Sequence, residues 1–372
     1  MSYSPIYIYI YCTVIGTTRR AESSNNTVRT ITEDVETAVA TVWERSRRWS
    51  FLATTKKRRV HCWRLVALVC SVAGALCQAT ARCFPQDTRI LATQNVLNFV
   101  GACLLAVAPY LITSFCGRDK VRDWIRCRAA ADDLQSHTYL YRMGVQPYDH
   151  PPEKKEDGAL HTFLTNMAII SESVQDMNHE YIVTYQNNNT TMNTIDDDTT
   201  TLTPPPANLD RESYLHDRID HQIHHHYIHA ATIYATRSRY LHRGMATLSF
   251  LAATVGFITG YVPPLKNYVG LSTALTLAAT SIGTHIAASG YDSRAETLST
   301  SALHLETLRL GLPHSVHVGS TEWRTFVVQC EQHMASTTRR VGAAANVTTL
   351  QRLDSTSHRP NTSPHSRLTK VE

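Results

Sequence analysis

Six histidines lie in one short stretch, HDRIDHQIHHHYIHA, and are the most conspicuous chemical groups in the sequence. Imidazole nitrogens bind divalent transition metals, and the ring gains a proton at a pH of about 6.5. His221, His225 and His229 are four residues apart, so an α-helix would place them on one face. The spacing fits a metal site or a pH-sensitive charge patch. A solvated helix face beside Asp217 and Asp220 fits it equally, and this simpler interpretation is favoured.

Motifs of the common catalytic classes do not occur in the sequence. There is no phosphate-binding glycine loop, no HExxH motif and no nucleophile elbow, and the apolar runs hold no acidic pair that could relay protons. The nine cysteines form no C-x-x-C pair, so they favour packing over a zinc site. The sequence therefore predicts a protein that is not an enzyme and has no cofactor.

The sequence contains four apolar blocks separated by very polar segments, and the helices that these blocks form must position the histidine-rich stretch. The mean hydropathy of −0.23 conceals this clustering. A membrane-spanning helix needs about 20 apolar residues, within a range of about 17 to 25. The blocks lack the polar faces of helices in a soluble bundle. Spans are therefore predicted at about 62–81, 96–116, 244–262 and 269–289.

The spacing of the spans predicts an all-α membrane protein with two tandem two-span helical hairpins. Short loops join the members of each pair, and basic residues are concentrated at the outer ends of the spans. By the positive-inside rule, both termini and the central linker are predicted to be cytosolic. The net charge of +5 suits anionic lipid headgroups, and no basic–aromatic pattern indicates nucleic-acid binding.

The stretch DWIRCRAAADDLQSHTYLYRMGVQPY after the second span predicts an amphipathic helix. Steps of three and four residues place one seam on a single helix face, as in coiled coils. The seam consists of Trp124, Cys127, Ala131, Leu134, Thr138, Tyr141 and Val145. Apolar residues with a similar spacing of three and four precede the third span and follow the fourth, so each hairpin is expected to continue as a pair of cytosolic helices. We expect Arg128, Asp132 and Arg142 to organise the cytosolic seam.

Gly256 and Gly260 form a G-x-x-x-G motif in the third span. Missing side chains let two helix backbones approach closely in a membrane. Packing within the hairpin is the simpler interpretation of this motif, and self-association of hairpins is the alternative.

The predicted domain organisation combines the hairpins with polar segments that cannot bury a core. Asn, Thr and Asp tracts such as NNNTTMNTIDDDTTT are typical of disordered linkers. The predicted divisions are a disordered leader at 1–34, a first domain at 35–148, a linker with a low-complexity tract at 149–219, a second domain at 220–312 and a mostly disordered tail at 313–372.

The segment after the second span resembles one branch of the SLATT family, the SMODS and SLOG-associating two-transmembrane effector domains. The residues that carry the resemblance are Trp124, Arg128, Ala129, Asp132, Tyr141, Arg142, Met143, Gln146, Pro147 and Tyr148. The second half, from YIHAATIYATRSRYLHRGMATL to GYDSRAETLSTSALHLETLRL, is similar to a second SLATT branch. The resemblance implies two SLATT-like domains in tandem.

The resemblance to SLATT domains implies a membrane effector that perturbs membranes or forms pores when a nucleotide-sensing partner activates it. The expected partners are the lipid bilayer, further copies of the chain as a homo-oligomer, and an unidentified activating sensor protein. Two alternatives remain open. One is a non-conducting membrane scaffold that binds partners through its cytosolic helices, and the other is a metal or ion transporter that uses the histidine-rich helix.

Overall fold

The computed structural model describes residues 24–83, 91–149, 155–177, 204–207, 209–262 and 269–357. Within these residues the regular structure is entirely helical, which confirms the predicted all-α fold class. The principal helices are α1 (Ser24–Cys83), α2 (Leu91–Phe115), α3 (Arg118–Arg142), α4 (Lys155–Glu172), α5 (Arg211–Tyr261), α6 (Val269–Ser289), α7 (Tyr291–Leu310) and α8 (Thr321–Ser357).

Four helices are long and apolar enough to cross a membrane, and they carry the four predicted spans. The spans lie in α1, α2, α5 and α6. Phe99, Phe250 and Tyr261 in these spans are each more than 70% exposed. Large apolar side chains are exposed in this way where they face lipid, while the helical hydrogen bonds satisfy the backbone. The protein is therefore a multi-pass membrane protein.

The spans pack side by side in the order α2, α1, α6, α5. α1 and α6 run antiparallel in the middle of this row. Arg64 Nη1 donates a hydrogen bond to the carbonyl of Ala288 at one end, and Ala75 and Ala79 pack on Ala274 towards the other end. Small alanine side chains allow this close approach. Among the described residues, α2 and α5 make no principal contact with each other, so the row does not close into a ring.

Outside the spans, the remaining helical segments form one body, here called the extramembrane body. Its core takes residues from both halves of the chain, so the two hairpins share a single hydrophobic core. Fully buried large side chains include Trp43, Phe163, Tyr214, Leu305 and Trp323. Burying one such side chain contributes about 1.5–3 kcal/mol. The shared core thus joins the two halves through the membrane-external helices as well as through the spans.

The first part of α5 is wider than an α-helix, because Tyr214–Asp220 and Gln222–Ile228 are π-helical. A π-helix makes i→i+5 hydrogen bonds, so residues on one face recur every four to five positions. Tyr214, Ile219, Ile223 and Tyr227 are buried at this spacing. The π-helical register therefore decides which side chains of the histidine-rich stretch share a face.

α8 covers much of the segment predicted to be a mostly disordered tail, and this is the main difference from the predicted organisation. The side-chain oxygen of Ser320 accepts a hydrogen bond from the backbone N–H of Trp323 and caps the helix. Trp323, Val327, Cys330 and Met334 are buried at steps of four, three and four residues. This seam packs on the core and stabilises a helix that its Ser, Thr and Arg content does not suggest. The helix covers positions 321 to 357 of the segment predicted as a mostly disordered tail.

Two further predictions concern polar segments at the ends of the predicted domains. The leader was predicted to extend to residue 34, and α1 begins at Ser24. Most of the predicted leader and most of the low-complexity tract lie outside the described residues.

Candidate functional site

Arg128 and Asp132 join three helices in the extramembrane body. The Nε atom of Arg128 lies 3.1 Å from Asp132 Oδ1, one helical turn along α3, and its Nη1 donates to Ser50 Oγ of α1 at 2.9 Å. Asp132 also accepts a hydrogen bond of 2.6 Å from Thr338 Oγ1 of α8. The predicted seam pair therefore connects α1, α3 and α8.

Arg142 and Tyr141 connect the end of α3 to two other helices. Arg142 donates to both carboxylate oxygens of Glu36 on α1, at 2.7 and 2.6 Å. These hydrogen bonds hold the pKa of the Glu36 carboxyl below its ordinary value. The Tyr141 ring stacks on Phe163 of α4 at a centroid distance of 4.7 Å. Trp124, the remaining predicted seam residue, is buried nearer the membrane, against Val60 and other apolar side chains.

A buried ion pair that the sequence did not reveal connects α5 to α8. Arg218 donates to the two oxygens of Glu331 at 3.1 and 2.8 Å, and the Tyr214 hydroxyl donates to the same carboxylate at 3.1 Å. Glu331 is fully buried, and the Arg218 guanidinium lies 4.5 Å from the Tyr139 ring centroid on α3. The only signal in the sequence was one acidic residue beside the apolar seam of α8.

The histidines are arranged only in part as an α-helical spacing predicts. The His221 ring stacks on His225 at 4.7 Å between centroids and meets His226 edge-on at 5.3 Å, while His225 and His229 are exposed. The π-helix brings His226 towards His221. Burial, aided by the positive charge of Arg128, lowers the pKa of His226 to about 4. Within the described ranges, no three His, Cys, Asp or Glu side chains are grouped to hold a metal ion.

Among the described glycines of the spans, the closest contact lies in the first hairpin rather than at the G-x-x-x-G motif. A Cβ on Gly74 would lie 2.9 Å from the carbonyl oxygen of Gly101, and a Cβ on Gly101 would lie 2.9 Å from that of Gly74. Gly256 makes only ordinary contact with Ser272 of α6, and a Cβ on Gly260 would meet nothing within 4 Å. The face of α5 at Gly260 is therefore open, and close packing within a hairpin occurs where α1 meets α2.

Threonine side chains form a stripe along the open face of α6. Its members, here called the threonine stripe, are Thr273, Thr276, Thr280 and Thr284, and all four are exposed. Thr276 and Thr280 donate to the carbonyls one turn earlier at 2.9 Å. These bonds satisfy the hydroxyl protons and leave the oxygen lone pairs free to accept from water. The stripe extends over three helical turns of the span.

A groove of about 810 Å³ lies on the extramembrane body between α3, α4 and α8. Its lining includes the apolar side chains of Ala130, Leu140 and Ile169 and the basic side chains of Arg126 and Arg339. Burial lowers the pKa of His137 at the groove wall, and the Tyr148 hydroxyl lies 2.8 Å from the Nδ1 atom of this histidine. The volume is in the range of small-molecule or side-chain binding sites.

The helical spans and the extramembrane body define the protein as a multi-pass membrane protein of the two-hairpin type. Residues 214–339 match the family described as SMODS and SLOG-associating 2TM effector domain 1. The second half of the chain, from α5 into α8, is therefore similar to the SLATT family. Residues 47–156 match a family described as protein of unknown function DUF4231, which is consistent with a tandem SLATT arrangement. No curated protein and no solved structure matches the chain.

The family match extends the second domain beyond the predicted range of 220–312. It ends at residue 339 and so includes the first half of α8. This region contains Glu331, whose carboxylate pairs with Arg218 at the start of α5. The family boundary and the buried ion pair thus both join α8 to the second hairpin.

Proposed function

We propose that the protein is a membrane effector whose hairpins assemble from several copies into a conducting pore. The observation that carries this proposal is the threonine stripe on the open face of α6. A span that only faced lipid would gain nothing from hydroxyls at successive turns. A span that lines a water-filled passage would use their oxygens to accept hydrogen bonds from water.

Several copies are required because one chain does not enclose a passage. The four spans form a row with α2 and α5 at its two ends, and these ends do not meet in the described part of the chain. The hydroxyl protons of Thr276, Thr280 and Thr284 bond to their own helix, so the stripe tolerates lipid before assembly. The stripe is therefore compatible with both a dispersed and an assembled state.

The extramembrane body offers the surface through which assembly would be controlled. It ties α3, α5 and α8 together through Glu331 and through the Arg128–Asp132 pair. A sensor protein that bound this body would act on all four spans, since the helices of the body run directly into them. An activating sensor and a homo-oligomer are thus both part of the proposal.

Dye and ion leakage from liposomes containing the purified full-length chain tests the pore. Thr276→Val and Thr280→Val together replace hydroxyls of the stripe by methyl groups of similar size. Thr113→Val is the matched control, because Thr113 is also exposed on a span and also bonds to its own backbone. We expect the double variant to lose most of the leakage and the control to keep it. Equal leakage from both variants would refute a passage lined by the stripe.

A scaffold that binds partners without conducting is the second candidate, and the groove on the extramembrane body favours it. Arg126 and Arg339 in the groove lining pair with Asp176 and Asp133, and these pairs give a polar border beside apolar side chains such as Leu140 and Ile169. Such a border is typical of protein-binding surfaces. Correctly inserted chains that oligomerise but leave the bilayer tight, even with the stripe intact, would support this candidate.

A further inference from the structure

A group of basic side chains, here called the neck cluster, lies where the four spans join the extramembrane body. It consists of Lys57, His61, Arg64, Arg237 and Arg294. Burial lowers the pKa of His61, and the positive charges of the other four side chains lower it further. The cluster draws on α1, α5 and α7, so it combines both halves of the chain at one level of the structure.

Arg294 is the centre of the cluster and is the least solvated of its cations. Its side chain is only 7% exposed, and its Nε atom has no hydrogen-bond partner. The guanidinium lies 6.0 Å from the ring centroids of Trp124 and Tyr234, and Lys57 Nζ lies 5.9 and 5.6 Å from the same rings. Two cations thus share one pair of aromatic rings.

The neck cluster has no acidic partner in the described residues. No carboxylate lies within 4.0 Å of the charged nitrogens of its members, and the nearby Asp292 is directed to His242 at 3.4 Å. Elsewhere the buried arginines are paired, as Arg218 is with Glu331 and Arg142 with Glu36. Burying a cation without an anion costs several kcal/mol. An anion from outside the chain would remove this cost.

The positive charge also acts on Tyr234, which lies ten residues before the predicted third span. Burial alone would raise the pKa of this phenol, but Lys57 and Arg294 outweigh burial, and the pKa lies below its ordinary value. An anionic oxygen is thus favoured at this location. The members lie at the ends of the predicted spans or a few residues outside them, with Arg64 just inside the first span, so we expect the cluster at the depth of lipid phosphates.

We propose that the neck cluster binds a phosphate group between α1, α5 and α7. The guanidinium of Arg294 and the ammonium of Lys57 would contact its oxygens, with Arg237 and Arg64 around them. A phosphate monoester headgroup such as that of phosphatidic acid and free inorganic phosphate share this chemistry. The choline cation of phosphatidylcholine would be repelled by the same side chains. This site does not depend on the protein being a pore.

Lipid retention by the purified full-length chain, measured by native mass spectrometry from mixed micelles, tests the site. The test variant is Lys57→Gln with Arg237→Gln, and the matched control is Arg58→Gln with Arg239→Gln. All four positions are exposed and both variants lose two charges, so general surface attraction falls equally. Exposed substitutions should also leave folding intact, which elution as a single species will show.

We expect the wild type to retain phosphatidic acid in preference to phosphatidylcholine. Lys57 contacts the phosphate directly in the proposed site, and a charged hydrogen bond contributes about tenfold or more to affinity, so the test variant should bind at least about tenfold more weakly than the wild type. The control should stay within about twofold of the wild type. A wild type without preference, or equal losses in the two variants, would overturn the proposal.

Thermal unfolding in a neutral detergent with inorganic phosphate distinguishes the two sources. Chloride at matched ionic strength is the reference. If inorganic phosphate raises the midpoint in the wild type and the control but not in the test variant, the site accepts soluble phosphate as well. If only phosphatidic acid raises the midpoint, the lipid is the ligand. If neither phosphate source raises it more than chloride does, the proposal is wrong.

Discussion

Replacing Glu331 by Gln is expected to destabilise the extramembrane body severely. The carboxylate is fully buried and accepts hydrogen bonds from Arg218 and Tyr214. Glutamine has nearly the same shape, but its amide N–H₂ would face the N–H groups of the guanidinium, and the Arg218 cation would stay buried without an anion. Breaking a buried ion pair at one partner costs about 3–5 kcal/mol.

The measurement is the free energy of unfolding of the full chain in detergent micelles, followed by tryptophan fluorescence. Trp323 is fully buried and meets the Tyr214 ring at 5.8 Å between centroids, and the buried Trp43 and Trp49 lie in the same core, so tryptophan emission follows the unfolding of the extramembrane body. Glu44→Gln is the matched control, because Glu44 pairs with Arg48 at 2.9 Å on a more exposed surface. A pair of this kind contributes about 0–1 kcal/mol.

A combined variant separates the buried charge from the shape of the site. Arg218→Met, Glu331→Leu and Tyr214→Phe together remove both charges and the hydroxyl that would lose its acceptor. Apolar replacement of a buried ion pair is often neutral or stabilising, by about 1–4 kcal/mol, so this variant should recover much of the stability lost by Glu331→Gln. A change of less than about 1 kcal/mol in the free energy of unfolding for Glu331→Gln would refute the described packing of α8 on α5.

Two further predictions address the spans and the pH dependence. Gly101→Ala places a Cβ against the backbone of α1 and should destabilise the first hairpin by about 1–3 kcal/mol. Gly260→Ala meets open space among the described residues and should be neutral or mildly stabilising. Thermal unfolding of the two variants side by side measures the difference, and equal midpoints would contradict the glycine contact. Burial beside His304 lowers the pKa of His333 to about 4, so the folded state keeps this ring neutral and loses stability as pH falls from about 6.5 towards 4. His333→Gln should flatten the stability profile in this window, and an unchanged profile would exclude His333 as its source.

The spans and the seam of α3 could be predicted because their signals are local. A block without charged residues needs no knowledge of its neighbours to be recognised as a span. The steps of three and four from Trp124 likewise identify a helix face before its partners are known. Arg128, Asp132 and Arg142 were placed in this seam from the sequence, and the structure shows each of them in a contact that links helices.

Other features depended on information that one segment does not contain. α8 is rich in Ser, Thr and Arg, and it becomes recognisable as a packed helix only when Trp323 and Val327 have a core to enter. The π-helical turn of α5 changes which histidines are neighbours, and residue spacing alone assumes an α-helix. The glycine motif at Gly256 failed to locate the tight contact for a related reason, since the facing helix decides which glycine is needed.

The single core shared by both halves has a consequence for counting subunits. Two hairpins joined through one core behave as a covalently linked pair in a head-to-tail arrangement, because the first span of one hairpin, α1, packs against the second span of the other, α6. Any ring built from this chain therefore contains an even number of hairpins, with two kinds of interface alternating around it. The interface of α1 with α6 is fixed within each chain. Regulation of assembly can therefore act only on the interface between neighbouring chains.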